Sequence, residues 1–386
     1  MKSLSSASRD LVTLLGRNAR DIGWIINIFL LASIILYGYY GFFSPGGISY
    51  IYRNWDGPGY VVVAKTFYNV PLINKINPFP FLNATHYAFQ LPLYPLFIRL
   101  FSFIGYNESM IFVSQLFALL FSIALYFLIK MVNPKANALM VAILSIFYTP
   151  RWFIVSHVGS TEPQMLFFIT LFMIFFLRKK YLPSATALAL AQLSKPQGIV
   201  FFVGIALYYT YEILITRKKT ITAYLQEFAP YLLIPLTLLG IFILYYISYG
   251  NFYVFFGDDV FFSMKTQLMA VLTAKDILNF PVGFWTVWKE AIVYTYILYF
   301  IPIILLFEKK LYIFGIVALV YFLSVLSIIQ TDIARYIIPL LPFFFLGYAE
   351  ALSKKPVYIA LFICIPAVFL FSVGYINYNL APLPFY

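Results

Sequence analysis

The sequence is poor in charge and nearly free of cysteine, and both features restrict what the chain can be. Only 10% of its 386 residues are charged, while 63% are hydrophobic; a soluble globular domain carries roughly 25% charged residues. The single cysteine, Cys364, excludes an intramolecular disulfide and a multi-thiolate metal site. No glycine-rich phosphate loop, nucleophilic triad or nucleotide motif occurs, so a nucleotide-driven pump is not expected. The composition predicts a membrane protein.

Long apolar runs dominate the sequence and predict its fold class. Most approach the ~20 residues that a helix needs to cross a bilayer. Because lipid offers no hydrogen-bond partner to an open backbone, helices suit these runs, which are too uniformly apolar for alternating barrel strands. We predict an all-α fold, a polytopic transmembrane helical bundle of about 11 spans. The predicted spans are 22–43, 108–130, 137–152, 162–177, 181–194, 196–215, 231–249, 284–307, 311–330, 334–352 and 356–376.

The net charge of +12 comes from basic clusters that mostly lie between apolar runs, which indicates topology signals and no nucleic-acid partner. By the positive-inside rule these clusters and the N-terminus lie in the cytoplasm. This orientation leaves 91–105 outside, where we predict an amphipathic or re-entrant helix on the outer surface. The chain is predicted to be an integral multi-pass protein of the cell membrane, or of the endoplasmic reticulum if eukaryotic, with its first span as an uncleaved signal anchor.

The chain shows no appended soluble domain and no clear repeat, so 1–386 is predicted to be one membrane domain. Two extracytoplasmic loops, 44–107 and 250–283, are too long to be simple connectors, and such loops are usually functional. The first is rich in tyrosine, phenylalanine and proline and is expected to form short juxtamembrane helices. Nearly every candidate for chemistry falls on this outer side, which predicts one extracytoplasmic site. The candidates are Asp56, His86, His157, Glu162, Lys195, Asp258, Asp259, Asp332 and Arg335.

Asp56 is the sharpest candidate, because it lies in the first polar stretch after the first span. Trp55 beside it suits an interfacial anchor, and the following Gly-Pro-Gly turn allows close approach of a substrate. An aspartate there could accept a proton from an attacking hydroxyl or orient that hydroxyl. The alternative is that Asp56 simply caps the helix starting near Tyr60.

Glu162 is the second acid on the same face, at the start of a predicted span, where favourable interaction with the helix dipole would equally explain it. Lys195 and Arg335 lie at separate outer turns. Each could merely snorkel or contact lipid phosphate, but together two cations could hold the phosphate of a lipid-linked donor and stabilise the charge that develops as it leaves. Arg335 is the better candidate because its guanidinium is a planar fork.

The ionisable residues give little support for a metal. His86 and His157 are far apart in the sequence, and no cluster of histidines and acids has ligand spacing. We therefore predict no cofactor, and a divalent metal is not supported by ligand spacing.

Trp55-Asp56, Glu162, Lys195 and Arg335 occur in an order that resembles the motifs of the GT-C superfamily, membrane glycosyltransferases that use polyprenyl-phosphate sugars. The nearest resemblance is to dolichyl-phosphate-mannose-dependent mannosyltransferases, in particular the second mannosyltransferase of GPI-anchor assembly and its prokaryotic relatives. The first-loop motif has a single Asp here in place of two acids, and Lys195 stands where Arg is usual. The elements, in order, are Trp55-Asp56 with Tyr60, Pro92-Leu93-Tyr94-Pro95, Ser160-Thr161-Glu162, Lys195 with Gly198, and Arg335-Tyr336 with Pro339 and Pro342.

The resemblance implies an inverting transfer of a hexose, mannose from dolichyl phosphate, to a glycan or glycolipid acceptor. Asp56 would act as the base or orient the acceptor, and Glu162 would help to orient the acceptor. Lys195 and Arg335 would hold the donor phosphate. The residues assigned to substrate binding are Trp55, Tyr60, His86, His157 and Tyr336. A multi-pass transporter or lipid flippase is the alternative, since many spans and few charges suit either, and a scaffolding membrane protein is a third reading.

Overall fold

The computed structural model describes residues 16, 18–54, 56–77, 79, 82–256, 282–326 and 332–381, with backbone alone for 282–289. Within these ranges the protein is a bundle of helices. The helices are Ala19–Phe42, Ser49–Tyr52, Gly57–Thr66, Val70–Ile76, Leu93–Leu100, Tyr106–Val132, Ala138–Phe147, Pro150–His157, Glu162–Leu177, Tyr181–Ser194, Gly198–Tyr211, Ile221–Phe228, Leu233–Tyr249, Val282–Glu308, Tyr312–Val325, Ile333–Tyr336, Leu341–Leu352 and Lys355–Tyr378. Short 3-10 segments are Ala84–Phe89, Ser102–Ile104, Ala229–Leu232, Val254–Phe256 and Ile338–Leu340, and Glu212–Thr216 is a π-helical turn.

The membrane-spanning prediction is confirmed at the level of fold class. In the described part of the chain, seven helices are long and apolar enough to cross a membrane, or up to eight if a bent pair counts as one span. The predicted spans 162–177 and 311–330 correspond to shorter apolar helices of 16 and 14 residues, fewer than the ~20 of a straight crossing. The helix Leu93–Leu100 has eight residues and is about 12 Å long, so it does not cross a bilayer.

The predicted straight span 137–152 is wrong in its course. The chain forms two helices, Ala138–Phe147 and Pro150–His157, bent by 74° relative to each other. Proline disfavours helical backbone at the residue before it, and Thr149 is extended, with φ −85° and ψ 168°. The second helix therefore starts in a new direction and continues to His157, beyond the predicted end.

Close helix packing fixes the relative positions of the later helices. A Cβ built on Gly204 would lie 2.8 Å from the Cα of Val317, and one on Gly347 would lie 2.6 Å from the Cβ of Pro302. Small residues at such contacts let two helix backbones approach closely. Because the hydrophobic effect does not drive helix association within lipid, this close packing stabilises the contact. These contacts hold the helix Gly198–Tyr211 against Tyr312–Val325, and Leu341–Leu352 against Val282–Glu308.

The first long loop packs on the bundle through its own small core. Buried side chains from this loop meet the helix Leu233–Tyr249, and the hydroxyl of Tyr245 donates to the backbone oxygen of Ala88 at 2.6 Å. The loop is therefore held against the bundle. The buried members of this core include Val62, Val63, Tyr68, Ile73, Phe79, Tyr87, Leu91, Ile241, Tyr245, Val254 and Ala381.

The last described residues tie the first loop to the final helix. The backbone N–H of Ala381 donates to the oxygen of Arg53 at 2.7 Å, and Arg53 Nη2 donates to the oxygen of Ala381 at 2.7 Å. Asn54 and Leu380 form an isolated antiparallel bridge. Because the N–H of Gly57 in turn donates to the oxygen of Asn54 at 2.8 Å, this pairing holds the turn that carries Asp56.

Candidate active site

Arg335 is the centre of a cluster formed by four charged side chains from separate parts of the chain. We call it the ionic cluster, and its members are Asp56, Glu162, Lys195 and Arg335. Nη1 of Arg335 donates to Oδ2 of Asp56, and Nε donates to Oε1 of Glu162. Nη2 reaches Glu162 Oε2 at 3.3 Å. Asp56 and Arg335 lie 279 positions apart, so tertiary packing alone brings them into contact.

Glu162 joins the two cations of the ionic cluster. Its carboxylate is fully buried and accepts from Lys195 Nζ at 2.6 Å. The hydroxyl of Ser160 donates to its other oxygen. Lys195 Nζ also lies 5.9 Å from the ring centroid of Tyr336, within cation–π range. Two carboxylates balance two cations here, and such pairing is what buried charge requires.

Asp56 is held in place by a turn that depends on glycine. Asp56 occupies the N-cap position of the helix Gly57–Thr66, but its side chain makes no capping hydrogen bond; its carboxylate binds Arg335 instead. Helix capping alone therefore does not account for this acid. Cβ atoms built on Gly57 and Gly159 would lie 3.1 and 2.3 Å from the sulfur of Met110. Both turns thus pack against one methionine, which brings the Asp56 turn beside the Glu162 turn.

A buried hydrogen-bond network positions the turn that precedes Glu162. The hydroxyl of Tyr94 contacts Ser114 Oγ at 2.6 Å, and the backbone N–H of Ser160 lies 3.1 Å from each of these two hydroxyls. Thr161 donates to the backbone oxygen of Ser194 at 3.0 Å, which links this turn to the turn that carries Lys195. These hydrogen bonds fix the position of Glu162 in the first turn of its helix. The two cations and the positive end of the helix dipole both stabilise its carboxylate.

A second ion pair flanks the cluster. Nη2 of Arg151 donates to Oδ2 of Asp332, and the guanidinium lies 3.8 Å from the ring centroid of Tyr375. The backbone N–H of Arg335 donates to the oxygen of Asp332 at 2.8 Å. Burial raises the pKa of Asp332 from its usual value of 3.8, while Arg151 opposes the shift. This pair anchors the N-terminus of the short helix that presents Arg335.

Burial shifts the pKa values of Lys195 in the ionic cluster and of Tyr60 beside it. Burial lowers the pKa of Lys195 from its ordinary 10.5, although the Glu162 carboxylate acts in the opposite direction. Burial, followed by the charges of Asp56 and Glu162, raises the pKa of Tyr60 well above 10. The Tyr60 phenol therefore stays protonated at neutral pH, and its ring packs edge to face on Tyr94 with centroids 4.9 Å apart.

The remaining predicted residues are placed differently. His86 lines a cleft together with Asp56. His157 is fully buried, with Nδ1 2.8 Å from the oxygen of Phe153 and Nε2 3.3 Å from Ser33, the setting of a packed histidine. Trp55, Asp258 and Asp259, and most of the predicted loop 250–283, lie outside the described residues.

Among the described residues, no group of three or more His, Cys, Asp or Glu side chains is placed to hold a metal ion. Each acid of the ionic cluster is paired with a cation. That the protein needs no divalent metal remains a prediction from the sequence.

The fold can be compared with proteins of known structure. No protein-family model matches the sequence, and no curated protein matches it. Among solved structures the chain is similar to ArnT from Cupriavidus metallidurans, determined in the apo state, with a TM-score of 0.54 and 14% identity. The chain therefore shares the helical fold of that structure. The match covers 88% of this chain and 62% of the ArnT chain, so the chain spans less than two thirds of that protein's length.

Several residues near the ionic cluster are not predicted from the sequence as parts of the site. Arg151 fell inside a predicted straight span, where a cation has no evident role. Its place directly after Pro150 was the available signal, since proline marks the start of a new helix. Ser114 and Gln90 gave no signal, because isolated polar residues in an apolar run or a loop are common. Tyr94 belongs to the proline-rich motif Pro92–Pro95, but the hydrogen bond that its hydroxyl accepts from the backbone N–H of Ser160 depends on the fold.

Proposed function

We propose that the protein is a membrane glycosyltransferase that transfers a hexose from a polyprenyl-phosphate donor to a glycan or glycolipid acceptor with inversion. The observation that carries the proposal is the ionic cluster, in which two cations and two carboxylates from four separate segments meet around Arg335. The GT-C fold shared with ArnT supports a donor of this class. The order of the sequence motifs supports the same class independently.

The charges of the cluster fit the needs of such a transfer. A sugar phosphodiester carries one negative charge, and the leaving polyprenyl phosphate gains a second as the bond to the sugar breaks. Lys195 and Arg335 supply donors that can exchange from carboxylate to phosphate and stabilise that developing charge. The Glu162 carboxylate holds the two cations together while the donor is absent.

Asp56 is the proposed base. The acceptor oxygen forms a bond to the anomeric carbon as the bond from that carbon to the phosphate oxygen breaks, and its electron pair leaves with the phosphate. The hydroxyl proton passes to the Asp56 carboxylate, which needs a free lone pair facing the acceptor. Oδ2 binds Arg335, which fixes the orientation of the carboxylate.

The motif resemblance favours mannose from dolichyl phosphate as the sugar and carrier. The positive-inside distribution of lysine and arginine favours an extracytoplasmic site with the N-terminus in the cytoplasm. Trp55, Tyr60, His86 and Tyr336 remain the proposed substrate-binding residues, whereas the burial of His157 favours a packing role for that residue. Of these, Tyr336 places its ring centroid 5.9 Å from Lys195 Nζ.

The test measures sugar transfer directly. Membranes containing the protein are incubated with radiolabelled dolichyl-phosphate mannose, or another polyprenyl-phosphate sugar, and lipid extracts, and labelled products are separated. Asp56→Asn should lower the transfer rate about 10²–10⁴-fold while the protein still inserts. Asp21→Asn is the matched control, since Asp21 accepts from Tyr126 in another part of the bundle. Normal transfer by Asp56→Asn would remove the role of Asp56.

The transporter and flippase reading has its own outcome in this experiment. If no polyprenyl-phosphate sugar yields a labelled product with the wild-type protein, the glycosyltransferase proposal fails. The same donors, fluorescently labelled and placed in one leaflet of reconstituted vesicles, would then report transbilayer movement.

A further inference from the structure

Asp332 and Arg335 are close neighbours in the chain, yet each forms its ion pairs with other described residues. An acid and an arginine three positions apart on a helix have Cβ atoms about 5–6 Å apart and readily pair. Asp332 is the N-cap of the helix Ile333–Tyr336, where its side chain makes no capping hydrogen bond within the described chain. Its carboxylate instead pairs with Arg151, 181 positions away.

Arg151 is held where it can reach Asp332. Its side chain is 7% exposed, and its guanidinium lies over the ring of Tyr375, 3.8 Å from the centroid. Stacking on an aromatic ring fixes the plane of a guanidinium. Arg151 lies in the first turn of the helix Pro150–His157, directly after the 74° bend. The bend and the stacking together place a fixed cation beside Asp332.

The Arg151–Asp332 pair leaves the charges around Arg335 balanced. Three carboxylates are matched there by three cations, and the six residues are Asp56, Glu162, Asp332, Lys195, Arg335 and Arg151. Burial raises the pKa of Asp332, whereas the charges of Arg151 and then of Arg335 lower it. Without Arg151, the Asp332 carboxylate would therefore keep its charge best by turning to Arg335.

Arg335 has to exchange partners if it is to hold a donor phosphate. Its guanidinium already binds the carboxylates of Asp56 and Glu162. The side chains of Arg335 and Asp56 are 17% and 30% exposed, so this part of the ionic cluster reaches the surface. A third carboxylate on the guanidinium would compete with the phosphate and would place another negative charge beside it.

We propose that Arg151 is a positioning residue, which keeps the Asp332 carboxylate away from Arg335 and so leaves the Arg335 guanidinium available to the donor phosphate. This inference rests on the proposed glycosyltransferase function. Arg151 does not touch the substrate in this role and acts through Asp332. The role is separate from anchoring the helix Ile333–Tyr336, because the backbone oxygen of Asp332 accepts from the N–H of Arg335 at 2.8 Å, and this bond does not involve the carboxylate.

The test compares three variants by their KM for the donor, a constant that does not depend on the fraction of folded enzyme. Purified protein receives a polyprenyl-phosphate sugar at varied concentration, with a saturating lipid extract as acceptor. Arg151→Met should raise the donor KM about tenfold, equivalent to about 1.4 kcal/mol. Asp332→Asn removes the competing charge and should not raise it. The double variant Arg151→Met/Asp332→Asn should return the donor KM to near the wild-type value.

The pattern across the variants separates this role from a purely structural one. All three variants break the same ion pair, so an equal rise in donor KM in all of them would mean that the pair only holds the fold, and would overturn the inference. An unchanged donor KM in Arg151→Met would overturn it as well. Arg178→Met is the matched control and should leave the donor KM unchanged, since Arg178 is exposed and directly follows the helix Glu162–Leu177, at the end away from Glu162.

Equilibrium binding of radiolabelled polyprenyl phosphate, without a sugar, gives a readout that needs no turnover. Wild type, Asp332→Asn and the double variant should bind it with similar affinity, and Arg151→Met about tenfold more weakly. Sugar transfer by the wild type with any other order of affinities would remove the role of Arg151 alone. Absence of both transfer and phosphate binding in the wild type would instead remove the proposed function.

Discussion

Replacing Glu162 by glutamine should strongly destabilise the protein. Glu162 is fully buried and pairs with both Lys195 and Arg335. Without its charge, Asp56 alone faces two cations, so one buried positive charge is left uncompensated. Removing one partner of a buried ion pair costs about 3–5 kcal/mol, and we expect Glu162→Gln to lower the free energy of unfolding by about that amount.

A second variant tests whether charge is the cause. Glu162→Gln combined with Lys195→Met leaves Asp56 paired with Arg335 and no excess charge. Because the two sites touch at 2.6 Å, their effects should not add. The double variant should regain about half of the lost stability or more, while sugar transfer stays lost because the phosphate has lost a cation.

The assay is equilibrium unfolding in mixed micelles with a denaturing detergent, followed by tryptophan fluorescence. Glu290→Gln, at an exposed acid, is the control for a loss of carboxylate charge and should leave the unfolding curve unchanged. A loss below about 1 kcal/mol in Glu162→Gln, a value typical of exposed pairs, would refute the reasoning. So would a double variant whose loss equals the sum of the single losses.

Two further predictions concern pH and the C-terminal contact. Because burial lowers the pKa of Lys195, its ammonium loses the proton at lower pH than an ordinary lysine, so transfer should fall as pH rises through that lowered pKa. Lys195→Arg keeps its charge and should move the alkaline limb of the kcat/KM profile to higher pH; an unmoved limb would assign it to another group. Ala381→Pro removes the N–H that donates to Arg53 at 2.7 Å and should lower kcat severalfold through the Asp56 turn. Ala381→Gly keeps the N–H, and equal kcat in the two variants would contradict this positioning role.

The helical bundle was predictable because hydropathy is a local property of the chain. A run such as 356–376 specifies a helix by its own composition, whatever its neighbours are, since an unpaired backbone is costly in lipid. The helix Lys355–Tyr378 has nearly these bounds. Helix direction was less predictable, because the 74° bend between Phe147 and Pro150 depends on how the two halves pack.

The members of the ionic cluster were also chosen from the sequence, but their contacts were not. Asp56, Glu162, Lys195 and Arg335 were proposed because each is an isolated charge at the same predicted face. Their roles were expected to be separate, with acids for the acceptor and cations for the phosphate. The structure instead pairs each acid with a cation, which follows from the cost of burying any one of them alone.

The sequence by itself determined that this chain is a helical membrane protein with its scarce charges gathered at a few turns. Only the tertiary structure decided which charges touch and that Arg151 and Asp332 support Arg335. The physical reason is the range in sequence over which each kind of interaction acts. Backbone satisfaction and hydropathy act along neighbouring residues, whereas an ion pair between positions 279 apart exists only once the helices between them have packed.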